Sequence, residues 1–302
     1  MKVLIICSGH TSSVFVDEQV EALREIGVEI DYFLVSQKGF LGYLRSVAPL
    51  KEMINQFCPD LIHAHYGLSG VLANLQRKVS VVVTYHGCDI NDLLLRIISI
   101  PSLILSSHNI FVSKNQYSKI KFLLRNNYSI IPCGINFSTF KLLNKYEARN
   151  ILGLIPEKKY ILFSSAFDIP VKNYPLAKQS VELLNNVELV ELKGYSRKEV
   201  NLLMNACDAG LLTSFNEGSP IFVKELLALD KPVVSTDVGD VKERFGHLNG
   251  VYITNFEPES VADKLQQALF QNFHLGSREK IAYLDNHQIA LLIKEVYNKV
   301  LR

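Results

Sequence analysis

The five cysteines, Cys7, Cys58, Cys88, Cys133 and Cys207, form no C-x-x-C pair. That removes the common thiol metal and redox motifs, and the residues read as buried, reduced thiols of a cytoplasmic protein. A long uncharged apolar run is also missing. The nearest candidate, Leu93–Ser107, is interrupted by Arg96, Pro101 and serines, so no membrane-spanning helix is expected. The opening run Met1-Lys-Val-Leu-Ile-Ile-Cys7 is too short for a signal peptide and reads as a strand. After that strand stands Ser8-Gly-His-Thr-Ser-Ser13 and no G-x-G-x-x-G, which argues against a classical dinucleotide site. Internal repeats, low-complexity tracts and long disordered linkers are absent. Net charge is only +2, too little for a dedicated nucleic-acid binder.

What is present is the composition of a soluble globular protein, 48% apolar and 21% charged. At 302 residues the chain is near the limit for one core, so two domains are expected. Charge is unevenly spread. Residues 1–150 hold fifteen Lys and Arg against eleven Asp and Glu, a net +4, and the remainder carries −2. A mildly basic first half suits an anionic acceptor or membrane surface, and equally an ordinary solvated face.

Short Val/Ile/Leu runs alternate with helical patterns. Strands are expected at Val3–Ser8, Ile30–Val35, Leu61–His65, Ser80–Tyr85, Asn109–Val112 and Ser129–Pro132. After a junction at about Gly134–Glu157 they resume at Tyr160–Ser165, Glu188–Leu192, Ala209–Thr213, Pro232–Thr236 and Val251–Thr254. Continuous apolar runs imply burial on both faces, as in a parallel sheet. Helices are expected at Phe15–Ile26, Tyr43–Phe57, Asn115–Arg125, Tyr174–Leu184, Arg197–Cys207, Pro220–Leu229, Pro258–Phe270 and Asn286–Leu301. The fold class is therefore α/β, with two doubly wound domains at residues 1–140 and 141–302. Ligands in such sheets bind beyond the carboxyl ends of the strands.

The richest segment is Ser214-Phe-Asn-Glu-Gly-Ser-Pro-Ile-Phe-Val-Lys-Glu225. Glu217 and Glu225 bracket a predicted helix start in which Ser219 suits the N-cap and Pro220 the first helical position. Free N–H groups of a first turn make an anion site. Glu225 falls among Ile221, Phe222, Val223, Leu226 and Leu227, so its carboxylate is expected to be buried and to need donors such as ribose hydroxyls. A surface helix with one capping and one salt-bridged glutamate is the plainer reading.

This segment resembles the signature of the retaining glycosyltransferases of family 4, which have the GT-B fold. Other pieces match in order: Asp60-Leu-Ile-His-Ala-His-Tyr-Gly67, Val82-Val-Thr-Tyr-His-Gly-Cys-Asp89, Ile131-Pro-Cys-Gly-Ile-Asn136, Pro170-Val-Lys-Asn173 and Lys231-Pro-Val-Val-Ser-Thr-Asp-Val-Gly239. The likeness covers the whole chain and is greatest to bacterial polysaccharide-biosynthesis members of the teichuronic-acid type. It implies two Rossmann-like domains facing across a cleft, with the last helix packing back on the first.

The resemblance also implies roles. Glu225 would hold the nucleotide ribose, and Glu217 would meet the donor sugar. Gly218, Ser219, Pro220 and Ile221 would cradle the diphosphate, with Lys172 neutralising it. His86 would contact the donor sugar from the first domain. His65, beside His63 on one strand face, would reach the acceptor or be a core residue. Gly194 and Tyr195 would face the base. Where members often carry Gly-Gly after the first strand, this chain has Ser12 and Ser13, read as acceptor-side. The usual arginine before the lysine is also missing from Ala166–Ile169, which leaves diphosphate charge to Lys172 and helix N–H groups.

The expected enzyme is a cytoplasmic, metal-independent retaining glycosyltransferase. It would move a hexosyl or related unit from a nucleotide diphosphate sugar to a hydroxyl of a growing glycan, lipid-linked or free. No cofactor is implied, no D-x-D pair is present, and nucleic acid is not a partner. Lys38–Arg45 mixes apolar and basic residues, which suits peripheral membrane contact as well as an ordinary turn into a helix. A nucleotide-sugar epimerase of the same fold, and a weakly catalytic sugar-nucleotide-binding scaffold, are the alternatives.

Overall fold

The protein is described by a computed structural model covering residues 1–9, 13–37, 39–270 and 275–302. In β1 (Lys2–Ser8) the run Val3–Cys7 is buried without alternation, as a parallel strand covered on both faces requires. The same logic builds β2 (Glu29–Val35), β3 (Leu61–His65), β4 (Ser80–Tyr85), β5 (His108–Phe111) and β6 (Tyr128–Ile130). All pair in parallel, in the order β2-β1-β3-β4-β5-β6. A second parallel sheet holds β7 (Lys159–Phe163), β8 (Val187–Val190), β9 (Ala209–Leu212), β10 (Val233–Thr236) and β11 (Val251–Thr254), in the order β11-β10-β9-β7-β8.

The chain divides into Met1–Gly134 with Leu284–Arg302, and Ile135–Tyr283. The division therefore falls at Gly134, before the expected residue 140, and the last helix, Asn286–Leu301, belongs to the first unit. There Tyr297 Oη lies 2.6 Å from His63 Nδ1, and Lys294 Nζ donates to Ile26 O at 2.6 Å. The first core gathers Leu4, Ile62, Val83, Tyr85 and Phe111 among others, and the second Ile161, Phe163, Leu211, Val234 and Leu265. In each sheet the strand order reverses once, between β1 and β3 and between β7 and β9. Connections leave in opposite directions there, which opens a crevice at the strand ends.

Several local readings need correction. The predicted helix Tyr43–Phe57 is two helices, Gly39–Arg45 and Val47–Phe57, broken at Ser46, whose hydroxyl bonds back to Gly42 O at 2.9 Å. The junction read at Gly134–Glu157 contains a helix, Lys145–Leu152, capped by Asn144 and closed by left-handed Gly153. Helices Gly67–Asn74 and Leu93–Leu105 were also not expected. Of the cysteines, Cys7, Cys133 and Cys207 are buried, but Cys58 and Cys88 are exposed. Both lie at helix ends, outside the strands.

Candidate functional site

In the second unit, the chain beyond β7 and β9 brings three groups together. Pro170–Lys172 forms one 3-10 turn, which aims Lys172 at the loop after β9. Lys172 Nζ donates to Glu217 Oε1 at 2.7 Å, and Ser214 Oγ donates to the same oxygen at 2.7 Å. Thr213 Oγ1 fastens this arrangement from below by donating to the carbonyls of Lys172 and Asn173. The lysine and glutamate side chains remain 23% and 15% exposed, so a polar ligand can reach both.

Next comes the helix start. The structure puts Pro220 at the N-cap and Ile221 first in the helix Ile221–Ala228, one position later than expected. Ser219 does not cap. Its hydroxyl donates instead to Asp240 Oδ2 at 2.7 Å and accepts from Lys224 Nζ at 2.5 Å. Arg244 Nε also reaches Asp240 Oδ2, at 3.0 Å. Lys224 is fully buried, so its amino group sits behind the turn Gly218–Pro220. Gly239 has φ +60° and packs so closely that a Cβ would stand 2.8 Å from Gly218 O, which only glycine permits. The turn is thus held on both sides, with its first helical N–H groups available to an anion.

One turn further on, Glu225 is 3% exposed, as its apolar neighbours demand. Its partner is Arg197, whose Nη2 donates to Oε1 at 2.6 Å. A buried carboxylate needs such a donor. Arg197 opens the helix Arg197–Ala206, set by a capping box between Ser196 and Glu199. The guanidinium lies 4.6 Å above the Phe140 ring. Gly194, at φ +79°, and Tyr195, 41% exposed, immediately precede this helix.

In the first unit, the carboxyl ends of β3 and β4 bring His65 and His86 together, with Nδ1 of the first 2.9 Å from Nε2 of the second. His86 Nδ1 lies 3.7 Å from Cys133 Sγ, and the His86 ring packs between Phe15 and Tyr66. Burial lowers the basicity of all three histidines. His65 falls to about 3, while His63 and His86 drop well below the ordinary value, helped by like charge on neighbouring rings. The cluster is therefore neutral at pH 7. Because a buried orphan N–H is rarer than an orphan acceptor, we assign the shared proton to His65 Nδ1. His65 Nε2, without a partner among the described residues, is then the acceptor, and His86 presents Nδ1–H toward Cys133.

Asp89 accepts from the backbone N–H groups of Gly67, His86 and Gly87, which fixes the loop after β4. Burial raises its carboxyl to about 6 against those bonds. Beside it opens a cavity of about 570 Å³, whose lining includes Ser8, Ser13, Tyr43, Tyr66 and Asp89. Ser13 occupies the N-cap of helix Val14–Glu25 without using its hydroxyl there.

Two family models match this chain. "Glycosyltransferase Family 4" matches residues 2–139 and "Glycosyl transferases group 1" residues 170–271, together most of its length. The chain belongs to glycosyltransferase family 4. This glycosyltransferase is 26% identical over 286 residues to TuaC of Bacillus subtilis (strain 168), named as a candidate teichuronic acid biosynthesis glycosyltransferase, over 78% of this chain and 72% of that one. Its fold is shared with sucrose-phosphate synthase of Thermosynechococcus elongatus, at TM-score 0.84 and 17% identity, covering 99% and 98% of the two chains. HepE of Anabaena, solved with UDP-glucose, aligns at TM-score 0.79 and 16% identity over 99% and 100%. The fold class is GT-B, two Rossmann-like domains.

The glycosyltransferase thus gathers Lys172 and Glu217 in one cluster, and Gly218–Ile221 with Glu225 along one turn and helix. His65, read as reaching the acceptor or as a core residue, is fully buried, because both faces of β3 are covered, and it bonds His86, as the core reading has it. Ser12 lies outside the described residues. Three groups escaped sequence reasoning: Arg197, Lys224 and Asp240. The capping box after Gly194-Tyr195 was the available signal for Arg197, since it places that residue at a helix start. Lys224 was passed over as one polar residue on an apolar helix, although a lysine buried there needs an acceptor.

Proposed function

We propose that this glycosyltransferase takes its sugar from a nucleotide diphosphate sugar and passes it, with retained anomeric configuration, to a hydroxyl of a growing cell-surface glycan. The observation that carries the reading is the Lys172–Glu217 pair beside the turn Gly218–Pro220, at the strand-order reversal of the second sheet. Glu225 holds the ribose, and Tyr195 offers an exposed ring to the base. As the anomeric C–O bond breaks, charge grows on the leaving diphosphate. Lys172, the first-turn N–H groups of Ile221–Ala228 and the buried Lys224 stabilise that charge. The acceptor oxygen bonds the anomeric carbon, and its proton passes to the departing diphosphate. A hydrogen bond from neutral His86 to a sugar would require its Nδ1–H to leave the 3.7 Å contact with Cys133, since Nε2 is taken by His65. Retention rests on the family resemblance. UDP-sugars are the first donors to try, because HepE was solved with UDP-glucose. A glycan acceptor follows the naming of TuaC.

Positive charge supplied by side chains and helix N–H groups removes the need for a metal. Purified protein given UDP-sugars and an acceptor glycan should release UDP at a rate unchanged by EDTA. Activity lost to EDTA and restored by magnesium or manganese would contradict metal independence. Conversion of the donor to its epimer without acceptor would support the epimerase reading, and binding without turnover the scaffold reading.

A further inference from the structure

The helix Leu93–Leu105 has its polarity reversed. Its buried side is Ser99, Ser102 and Leu103, followed by Ser106 at the C-cap. The Ser99 and Ser106 hydroxyls turn back onto Leu95 O and Ser102 O, at 2.7 and 2.6 Å. Against them lies the helix Gly67–Asn74, so close that a Cβ on Gly67 or Gly70 would stand 1.9 or 2.2 Å from the Ser99 or Ser102 hydroxyl. Small polar groups therefore make the inner contact. The outer side carries Leu93 and Leu94, each 66% exposed, Ile97 at 54%, Ile104 at 57% and Leu105 at 46%. Leu94, Ile97, Pro101 and Ile104 fall at helical spacing, so they form one face along a helix roughly 20 Å long. Phe122, 78% exposed, stands on the adjoining turn Lys121–Leu123. A contiguous exposed apolar strip of this kind marks an interaction site.

Charge says what the strip meets. From Leu93 to Gly134 there is no Asp or Glu, while Arg96, Lys114, Lys119, Lys121 and Arg125 are present. Lys114, Lys121 and Arg125 are exposed. The nearest acid in sequence, Asp92, is occupied as the helix N-cap, accepting from Leu95 N at 2.9 Å. We propose that this face lies flat on an anionic lipid bilayer, its Leu and Ile side chains among the acyl chains and the basic groups against the headgroups. With 13 residues the helix is too short to cross, and no helix among the described residues is long and apolar enough to do so. A protein partner would be expected to meet an aromatic-rich patch with a mixed polar rim, whereas this helix face is aliphatic and, apart from Asp92 at its head, the segment Leu93–Gly134 carries basic residues alone. The surface is on a different element from the helix Gly39–Arg45, and Lys38 lies outside the described residues. The same helix lends Leu95 and Ile98 to the cavity beside Tyr66, so lipid face and cavity share a wall. The inference stands on this surface and does not depend on the transfer chemistry.

Sedimentation with vesicles tests it. Wild-type protein should pellet with phosphatidylcholine vesicles in which about one lipid in three is phosphatidylglycerol, and less so as salt rises. Leu94→Glu with Ile97→Glu should lower partitioning at least tenfold, and Lys121→Glu with Arg125→Glu should abolish the preference over pure phosphatidylcholine. These side chains are exposed, so the melting temperature and calorimetric UDP binding should stay at wild-type values, which controls for folding. Wild-type protein that binds neither vesicle, or a Leu94→Glu/Ile97→Glu variant that binds like wild type, would overturn the proposal. A wild-type dimer in ultracentrifugation that the same variant renders monomeric would overturn it too, by making the strip a contact between copies.

Discussion

Replacing Lys172 with methionine should lower the transfer rate by about 10²–10³-fold, the cost of removing one preorganised charge from a developing anion. The lysine is placed for this by a rigid 3-10 turn and by the Thr213 bonds to its own carbonyl and that of Asn173. Before donor binds, Glu217 neutralises it at 2.7 Å. A diphosphate carries more negative charge than that single carboxylate and would draw the ammonium away. Glu217 would then be released toward the sugar. Methionine keeps the length and removes the charge, so the fold should persist. The rate of UDP release at saturating donor measures the effect, and Lys172→Arg should recover much of it. A methionine variant within about threefold of wild type would place the diphosphate elsewhere.

The largest stability effect should come from Arg149→Met. Arg149 is 1% exposed. Nη2 meets Asp208 Oδ2 at 2.6 Å, Nε donates to Ala206 O at 2.9 Å, and Nη1 donates to Pro156 O. Removing one member of a buried pair costs about 3–5 kcal/mol, because the other charge stays behind. Lys145, 3.1 Å from Asp208, retains part of the compensation, so the loss should sit near the lower end. The effect should depend on pH. Burial pushes the Asp208 carboxyl up, but the Tyr160 N–H, Lys145 and Arg149 together hold it below the usual range. A depressed carboxylate stabilises the fold above its unfolded pKa, about 3.9, and that stabilisation is lost as pH falls through the folded value. The gap between wild type and variant should therefore be full at neutral pH and shrink below pH ~4. Urea titrations at both conditions, following the transition of the second unit, measure this. An undiminished gap in acid would assign the loss to packing around the aliphatic stem.

Much of this architecture was legible because uninterrupted Val, Ile and Leu runs have one good home, a strand covered on both faces. The helices that escaped had other causes. Gly67–Asn74 contains two glycines and reads as a weak helix former, yet those glycines are what admit Ser99 and Ser102 to the contact. Leu93–Leu105 carries Pro101 in its interior, an ordinary stop signal that the helix runs through. At the site, the spacing of Glu217 and Glu225 was readable as local chemistry. Their partners were not, since Lys172 lies 45 residues from Glu217, Arg197 lies 28 from Glu225, and Asp240 lies 21 from Ser219. Only the folded sheet brings those together. The misplaced N-cap has the same origin, because Ser219 had a distant carboxylate and a buried lysine to bond in place of its own helix.

The central claim is that a nucleotide diphosphate binds the second unit with its ribose on Glu225. Calorimetric titration of UDP into wild type, Glu225→Gln and Glu217→Gln tests it most directly. Glutamine keeps the shape of Glu225 but removes the ionised acceptor, worth roughly 1.5–3 kcal/mol in hydrogen bonds to charged groups. UDP affinity of Glu225→Gln should fall about tenfold or more, while Glu217→Gln should bind UDP nearly as wild type does and lose transfer. Equal UDP affinity in wild type and Glu225→Gln would contradict the assignment and put the ribose elsewhere.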